Sequence, residues 1–197
     1  MRHAFLLLGL LTSIVYVGAF FALHQKAEAP HEVSSDDNPP AMSLTLTSPA
    51  FSDGGLMPSK YTCDGDNVSP ELHISNVPPG TESFVLVMDD PDIPPSVKQT
   101  RGINTFDHWV MYNIPGDTHT IAEGIETGNV GMNTRGTSGY TGPCPPDREH
   151  CYFFRLYALS GTINFIKAPT LQEVEEAAQG MMLEQASLTG RYERARE

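Results

Sequence analysis

Positive charge is what this chain of 197 residues has little of: 12 Lys and Arg stand against 24 Asp and Glu, for a net charge of −12. A nucleic-acid binder needs a basic patch to neutralise phosphates. None is available, so nucleic acid is excluded as the main partner. Cysteine is scarce as well. Cys63, Cys144 and Cys151 are the only three, none lies in a Cys-x-x-Cys pair, and no zinc-type spacing occurs. There is no Gly-x-Ser-x-Gly of a hydrolase nucleophile and no His-Glu-x-x-His of a zinc protease. No internal repeat or low-complexity run is present. What the chain does have is punctuation, with 17 Gly and 16 Pro beside 40% hydrophobic residues. That balance predicts a turn-rich, strand-rich fold rather than a helix bundle. The length suits one ordinary domain plus additional segments.

The first additional segment is residues 1–23. Arg2 and His3 precede an uncharged run of 20 residues, Ala4 to Leu23. A cleaved signal needs an apolar core of only about 7–15 residues, whereas a membrane-crossing helix needs about 20. An uncleaved N-terminal anchor with Arg2 on the cytoplasmic side is therefore favoured. A cleaved signal is the alternative, with Ala27-Glu28-Ala29 as its small-x-small pattern and Pro30 following. Residues 24–42 are polar, acidic and Pro-containing, and read as a flexible linker. The chain is then expected to be exported, periplasmic or otherwise extracytoplasmic, with the folded domain over 43–197.

Within that domain, Ser43 to Thr47 alternates as a strand does, and Glu71 to Ile74 reads as a short strand. Ser83-Phe84-Val85-Leu86-Val87-Met88 is an apolar run of high β propensity, stopped by Asp89-Asp90-Pro91-Asp92-Ile93-Pro94. Ser96 to Thr105 is expected as a loop. Phe106 to Ile114 is expected as a strand with His108, Val110 and Tyr112 on one face and Trp109, Met111 and Asn113 on the other. Glu123 to Pro146 is a long Gly-rich connection, of a length that is usually functional or disordered. Its Gly and Pro density predicts an ordered path. His150 to Leu159 is the most strand-like run. Thr170-Leu171-Gln172-Glu173 is a capping-box pattern opening a helix to about Gln179. Met181 to Ala186 is expected as a further helical turn or two, and Ser187 to Tyr192 as a final strand.

Asp90, Asp92, His108 and His150 each fall at a strand end or beside a Pro- and Gly-rich loop, where binding groups concentrate. Two carboxylates and two imidazoles could hold a small anion through N–H donors, or a cation through the carboxylates. The plainer readings stand beside this one. Asp-Pro-Asp commonly just ends a strand, His108 beside Trp109 reads equally as a satisfied core histidine, and His150 could simply edge its strand.

The ordered set Asp90-Pro91-Asp92-x-Pro94, Asp107-His108-Trp109, Gly139-Tyr140-x-Gly142-Pro143-x-Pro145-Pro146 and His150-x-Tyr152 resembles the phosphatidylethanolamine-binding protein family, most closely its bacterial Raf kinase inhibitor-like branch. Cys63-Asp64-Gly65-Asp66-Asn67-x-Ser69-Pro70 and Asn76-x-Pro78-x-Gly80-Thr81 fit as well, so the resemblance runs over about residues 44–194. It implies a mainly-β fold, an antiparallel β-sandwich with small peripheral helices. It also implies a non-enzymatic pocket for phosphate-like or carboxylate-like anions. Asp90 and Asp92 would line that pocket with Pro94 beside them, His108 and His150 would supply imidazoles, and Tyr152 would flank it. The sequence departs from the family at Glu149-His150-Cys151, where Gly-x-His-Arg is usual. A Cys63–Cys144 disulfide is implied by exported-type relatives, with Cys144–Cys151 as the alternative. The implied partners are a small anion or phospholipid headgroup and an extracytoplasmic protein target, protease or kinase-like. No cofactor or metal is expected. The competing reading is an enzyme using the Asp/His cluster for hydrolysis or metal binding.

Overall fold

A computed structural model describes residues 42–195. The expected anchor at 1–23 and all of the expected linker except Met42 lie outside the described residues. Among the described residues no helix is long and apolar enough to cross a membrane.

In chain order the elements are β1 (Thr45–Thr47), β2 (Gly55–Leu56), a short 3-10 turn (Ser59–Tyr61), β3 (Leu72–Ser75), β4 (Ser83–Asp90), α1 (Pro95–Arg101), β5 (Phe106–Pro115), β6 (Thr120–Ile121), β7 (Asn129–Val130), β8 (His150–Leu159), α2 (Leu171–Ala178) and β9 (Met182–Tyr192). They form a three-stranded sheet of order β1-β3-β6 and a six-stranded sheet of order β2-β9-β8-β4-β5-β7. All the ladders are antiparallel except β2 with β9, which run parallel. The expected mainly-β, antiparallel sandwich with small helices is what forms, and the parallel pair sits at the edge of the large sheet.

The larger core lies between the two sheets. Leu46, Leu72, Ile74 and Ile121 of the small sheet pack with Phe84, Leu86, Met88, Trp109, Met111, Phe154 and Leu156 of the large one. A second cluster, including Val85, Val87, Val110 and Tyr112, lies on the opposite face of the large sheet beneath Val174 and Ala178 of α2. β4 is therefore buried along its whole length, which is why its sequence is an unbroken apolar run instead of an alternating one. The capping box that opens α2 is formed in full, with Thr170 and Glu173 each bonding the other's backbone N–H.

Two sequence expectations are overturned. The stretch expected as a loop at 96–105 holds α1. Pro94 is its N-cap, Pro95 its first residue and Gly102, at φ 66°, its left-handed end. Proline suits the first helical position, because the N–H it lacks has no helical partner there. Met181 to Ala186 forms no helix. Met182 onward belongs to β9, which pairs with β8 over almost its full length, and that tertiary pairing overrides the helix-forming composition of Met182-Leu183-Glu184-Gln185-Ala186.

The third correction matters for the site. Met88 pairs with Trp109, but Asp89 pairs with Asp107, so His108 is an extra residue bulged out of the β4–β5 ladder. A bulge re-aims a side chain next to it. The expected grouping of His108 with Val110 and Tyr112 fails for this reason. His108 instead shares the inner face with Tyr152, their ring centroids 5.3 Å apart, while Val110 and Tyr112 face α2.

Candidate binding site

The inner corner of β4, β5 and β8 is built around Asp90. This residue ends β4 and is 3% exposed. Its Oδ1 accepts the backbone N–H of Asp92 at 2.7 Å, which folds the chain into the stiff Pro91–Pro94 turn. Its Oδ2 lies 2.7 Å from Nδ1 of His150, the first residue of β8. Burial raises the Asp90 carboxyl above the ordinary carboxylate range, and the bond to His150 pulls against that rise. Asp92 accepts the backbone N–H of Cys151 at 2.9 Å. It thereby ties the turn to the start of β8.

His150 is 1% exposed, and both its ring nitrogens are engaged. Nε2 lies 2.8 Å from Oδ1 of Asp147. A ring facing a carboxylate at each nitrogen donates twice only as imidazolium; otherwise one carboxyl carries the proton. The bond to His150 also holds the Asp147 carboxyl below its usual range.

His108 behaves differently. Its Nδ1 donates to the backbone carbonyl of Thr141 at 2.6 Å. Burial pushes its pKa down to about 4, more than the Thr141 bond restores. At neutral pH the ring is neutral, with its proton on Nδ1. Nε2 then presents a lone pair, and no described residue donates to it.

The loop that supplies Thr141 is held by one side chain. Asn133 is 4% exposed. Its amide donates to Thr137 Oγ1, the Gly139 carbonyl and Thr141 Oγ1 at 2.9, 3.2 and 3.1 Å, and its carbonyl accepts the N–H groups of Arg135 and Thr137 at 3.0 and 3.2 Å. This knot presents Arg135 at the rim of the corner, where it makes no ion pair with another described residue. Further along, a Cβ on Gly142 would lie 2.5 Å from the Tyr61 carbonyl, so only glycine lets the loop pass there. A disulfide joins Cys144 to Cys63, with Cα atoms 5.4 Å apart. Cys151 remains a free thiol, raised above its usual range by burial and then by Asp92.

These elements enclose a cavity of about 150 Å³ lined by Asp90, Ile93, Pro94, Val97, Phe106, His108, Arg135, Cys144, Pro145, Pro146 and His150. Of the residues singled out in the sequence, Asp90, Pro94, His108 and His150 meet here. Asp92 and Tyr152 are not among the lining residues. Tyr152 is fully buried. Its ring sits edge-on to His108 and roughly parallel to His150, with centroids 6.3 Å apart in the second pair, and its hydroxyl has no hydrogen-bond partner. Arg135 and Asn133 carry no sequence signal beyond membership of the Gly- and Pro-rich connection, and Asp147, just past its end, carries none. A larger cavity of about 440 Å³ lies against Val85, Tyr157, Val174 and Met182. It is more apolar and has no imidazole, so the smaller cavity is the one with chemistry. Among the described residues no group of three or more His, Cys, Asp and Glu side chains could hold a metal ion.

Comparison with known proteins gives the family and the fold. Residues 47–193 match the family model described as phosphatidylethanolamine-binding protein. The chain belongs to the phosphatidylethanolamine-binding protein family. A UPF0098 protein of Methanothermobacter thermautotrophicus is 42% identical over 158 residues, covering 77% of this chain and 99% of that protein. A UPF0098 protein of Chlamydia trachomatis is 41% identical over 152 residues. Among solved structures, CT736 of Chlamydia trachomatis, described as a putative phosphatidylethanolamine-binding protein homolog, superposes with a TM-score of 0.74. It is 40% identical and spans 78% of this chain and 99% of its own. YbcL of E. coli, described as a new member of the mammalian family, gives 0.68 at 26% identity, over 78% of this chain and all of its own. The mainly-β architecture of this chain, with two small helices, is that of the phosphatidylethanolamine-binding protein family.

Proposed function

We propose that this chain is a non-enzymatic binding protein whose inner-corner cavity takes a small phosphate-like group, either free or at the end of a larger molecule. The observation that carries this reading is Arg135 at the rim of a narrow cavity. One water occupies about 30 Å³ of liquid, so a space of about 150 Å³ admits a group of a few heavy atoms and not a whole lipid. The guanidinium supplies the positive charge and the forked donors that oxyanions select. His150 contributes rigidity more than charge, because both of its nitrogens already face carboxylates. For the same reason neither nitrogen is open to a substrate, which weighs against an Asp/His hydrolase.

The test is a titration of the full chain with inorganic phosphate, followed through the histidine ring signals by NMR. His108 shifts on binding, and Arg135→Ala weakens affinity about tenfold. Absence of any shift at millimolar phosphate overturns the reading. The disulfide also supports an exported protein, since disulfides persist in oxidising compartments. On this proposal residues 1–23 hold the 43–197 domain at the membrane, and its partner is an extracytoplasmic protein.

A further inference from the structure

We infer that the cavity selects phosphate groups that still carry a proton, and so takes inorganic phosphate or a singly protonated phosphate monoester in preference to sulfate or a phosphodiester. This rests on the proposed anion reading, and adds to it which anion fits.

The argument starts from the direction of one hydrogen bond. A backbone carbonyl only accepts, so the 2.6 Å contact between His108 and Thr141 fixes the ring proton on Nδ1. The ring lines the cavity, and the nitrogen left for a ligand is the lone pair of Nε2. An oxyanion without a proton meets that lone pair with lone pairs of its own. Relief by protonating the ring is costly, because His108 gains a proton only near pH 4. Rotating the ring offers no relief either. It would abandon the Thr141 bond, and the ring is wedged between Phe106 and Tyr152, at centroid distances of 4.7 and 5.3 Å.

The neighbours leave the same conclusion. On β4, Asp90 is an acceptor with both oxygens in use. On β8, His150 has both nitrogens turned to carboxylates, and the Tyr152 hydroxyl is buried, with Tyr152 outside the cavity lining. Arg135, on the loop, is the cationic donor at the rim. A ligand is thus asked for negative oxygens at its outer end and an O–H at its inner end. A P–OH donating to Nε2 supplies the second. Inorganic phosphate keeps such a proton across the neutral range. A monoester keeps it only below its second ionisation, near pH 6. Sulfate and phosphodiesters have none.

Calorimetry on the wild-type full chain at pH 7.5 compares inorganic phosphate with sulfate, and phosphoethanolamine with glycerophosphoethanolamine, the diester headgroup of an intact lipid. Leaving a buried acceptor unpaired is worth roughly a tenfold or larger loss, so phosphate binds at least about tenfold tighter than sulfate. Phosphoethanolamine affinity rises about tenfold per unit as pH falls from 7.5 toward 6, and the diester shows no such rise. Asp107, on the other face, also titrates near pH 6. Its charge acts on every anion alike, so sulfate is the control for it.

Equal affinity for phosphate and sulfate, or a diester that binds as well as the monoester, overturns the proton selection while leaving the anion reading standing. Binding of none of the four overturns both. His108→Asn puts an N–H donor at the cavity wall, and brings phosphate and sulfate to within about twofold of each other. The wild-type arms decide the matter even where that variant folds poorly.

Discussion

Two faces of one corner invite comparison. Asp89 and Asp90 are sequence neighbours, as are Asp107 and His108; alternation along β4 puts the first two on opposite sides of the large sheet, and the bulge in β5 does the same for the second two. On the inner side, Asp90 receives a backbone N–H and an imidazole. On the outer side, Asp89 pairs across the ladder with Asp107, another carboxylate. Arg155 reaches Asp89 at 3.3 Å, yet Asp89 Oδ1 and Asp107 Oδ1 are buried without hydrogen-bond partners. Burial, then Asp89 and then Glu175 of α2 push Asp107 up to about 6. The difference shows that the groups a buried carboxylate faces decide whether it is compensated, and the inserted residue is what sets Asp107 opposite Asp89. The inner face has its compensating groups in place, whereas the outer face obtains relief by taking up a proton.

The sharpest way to break this comparison is to remove the inner compensation. His150→Ala leaves Asp90 buried without its partner, and urea denaturation at pH 7 should register a loss of about 3–5 kcal/mol. A loss below about 1 kcal/mol means that Asp90 is not held by that pair. The outer face responds in the opposite direction. A carboxyl whose folded pKa is raised adds stability at low pH and loses it as pH rises through the folded value, here about 6. Asp107→Asn should therefore stabilise the protein by on the order of 2 kcal/mol at pH 7.5 and by little below pH 4. A variant equally neutral at both pH values removes the contrast between the faces. The smallest effect sharpens the comparison. Asp92 is held by the backbone N–H of Cys151, so Cys151→Ser should change stability by less than about 0.5 kcal/mol. It should also leave phosphate affinity as it was; a large change in either would assign the thiol a role in the inner corner.

How far the sequence reached follows the same division between local and long-range signals. The β4 run, the β8 run and the Thr170 capping box carry their instructions within a few residues, and all three elements form where read. α1 is not legible, because the turn that stops β4 at Pro94 also supplies the N-cap of a helix, and Pro95 is its first residue. The first half of β9 was missed because only its partner strand makes it a strand. The direction of His108 is set by the β4–β5 register, which no alternation within β5 encodes. Asp90, Pro94, His108 and His150 were legible as a set through the family resemblance. Arg135 was not, because its place at the rim depends on Asn133 closing a loop onto itself. Asp147 likewise acquires its role only when the loop after Cys144 brings it to His150.

The Cys63–Cys144 bond gives the cavity a chemical history. One wall of the cavity is Cys144 itself, and its tether spans 81 positions of sequence, while the β4–β5–β8 core that shapes the opposite wall contains no sulfur crosslink. Protein made under reducing conditions would keep its sheets yet present a slack-sided recess, and ligand would have to bear the ordering cost that the crosslink otherwise removes beforehand. Affinity measured on such material would understate what the oxidised molecule can do.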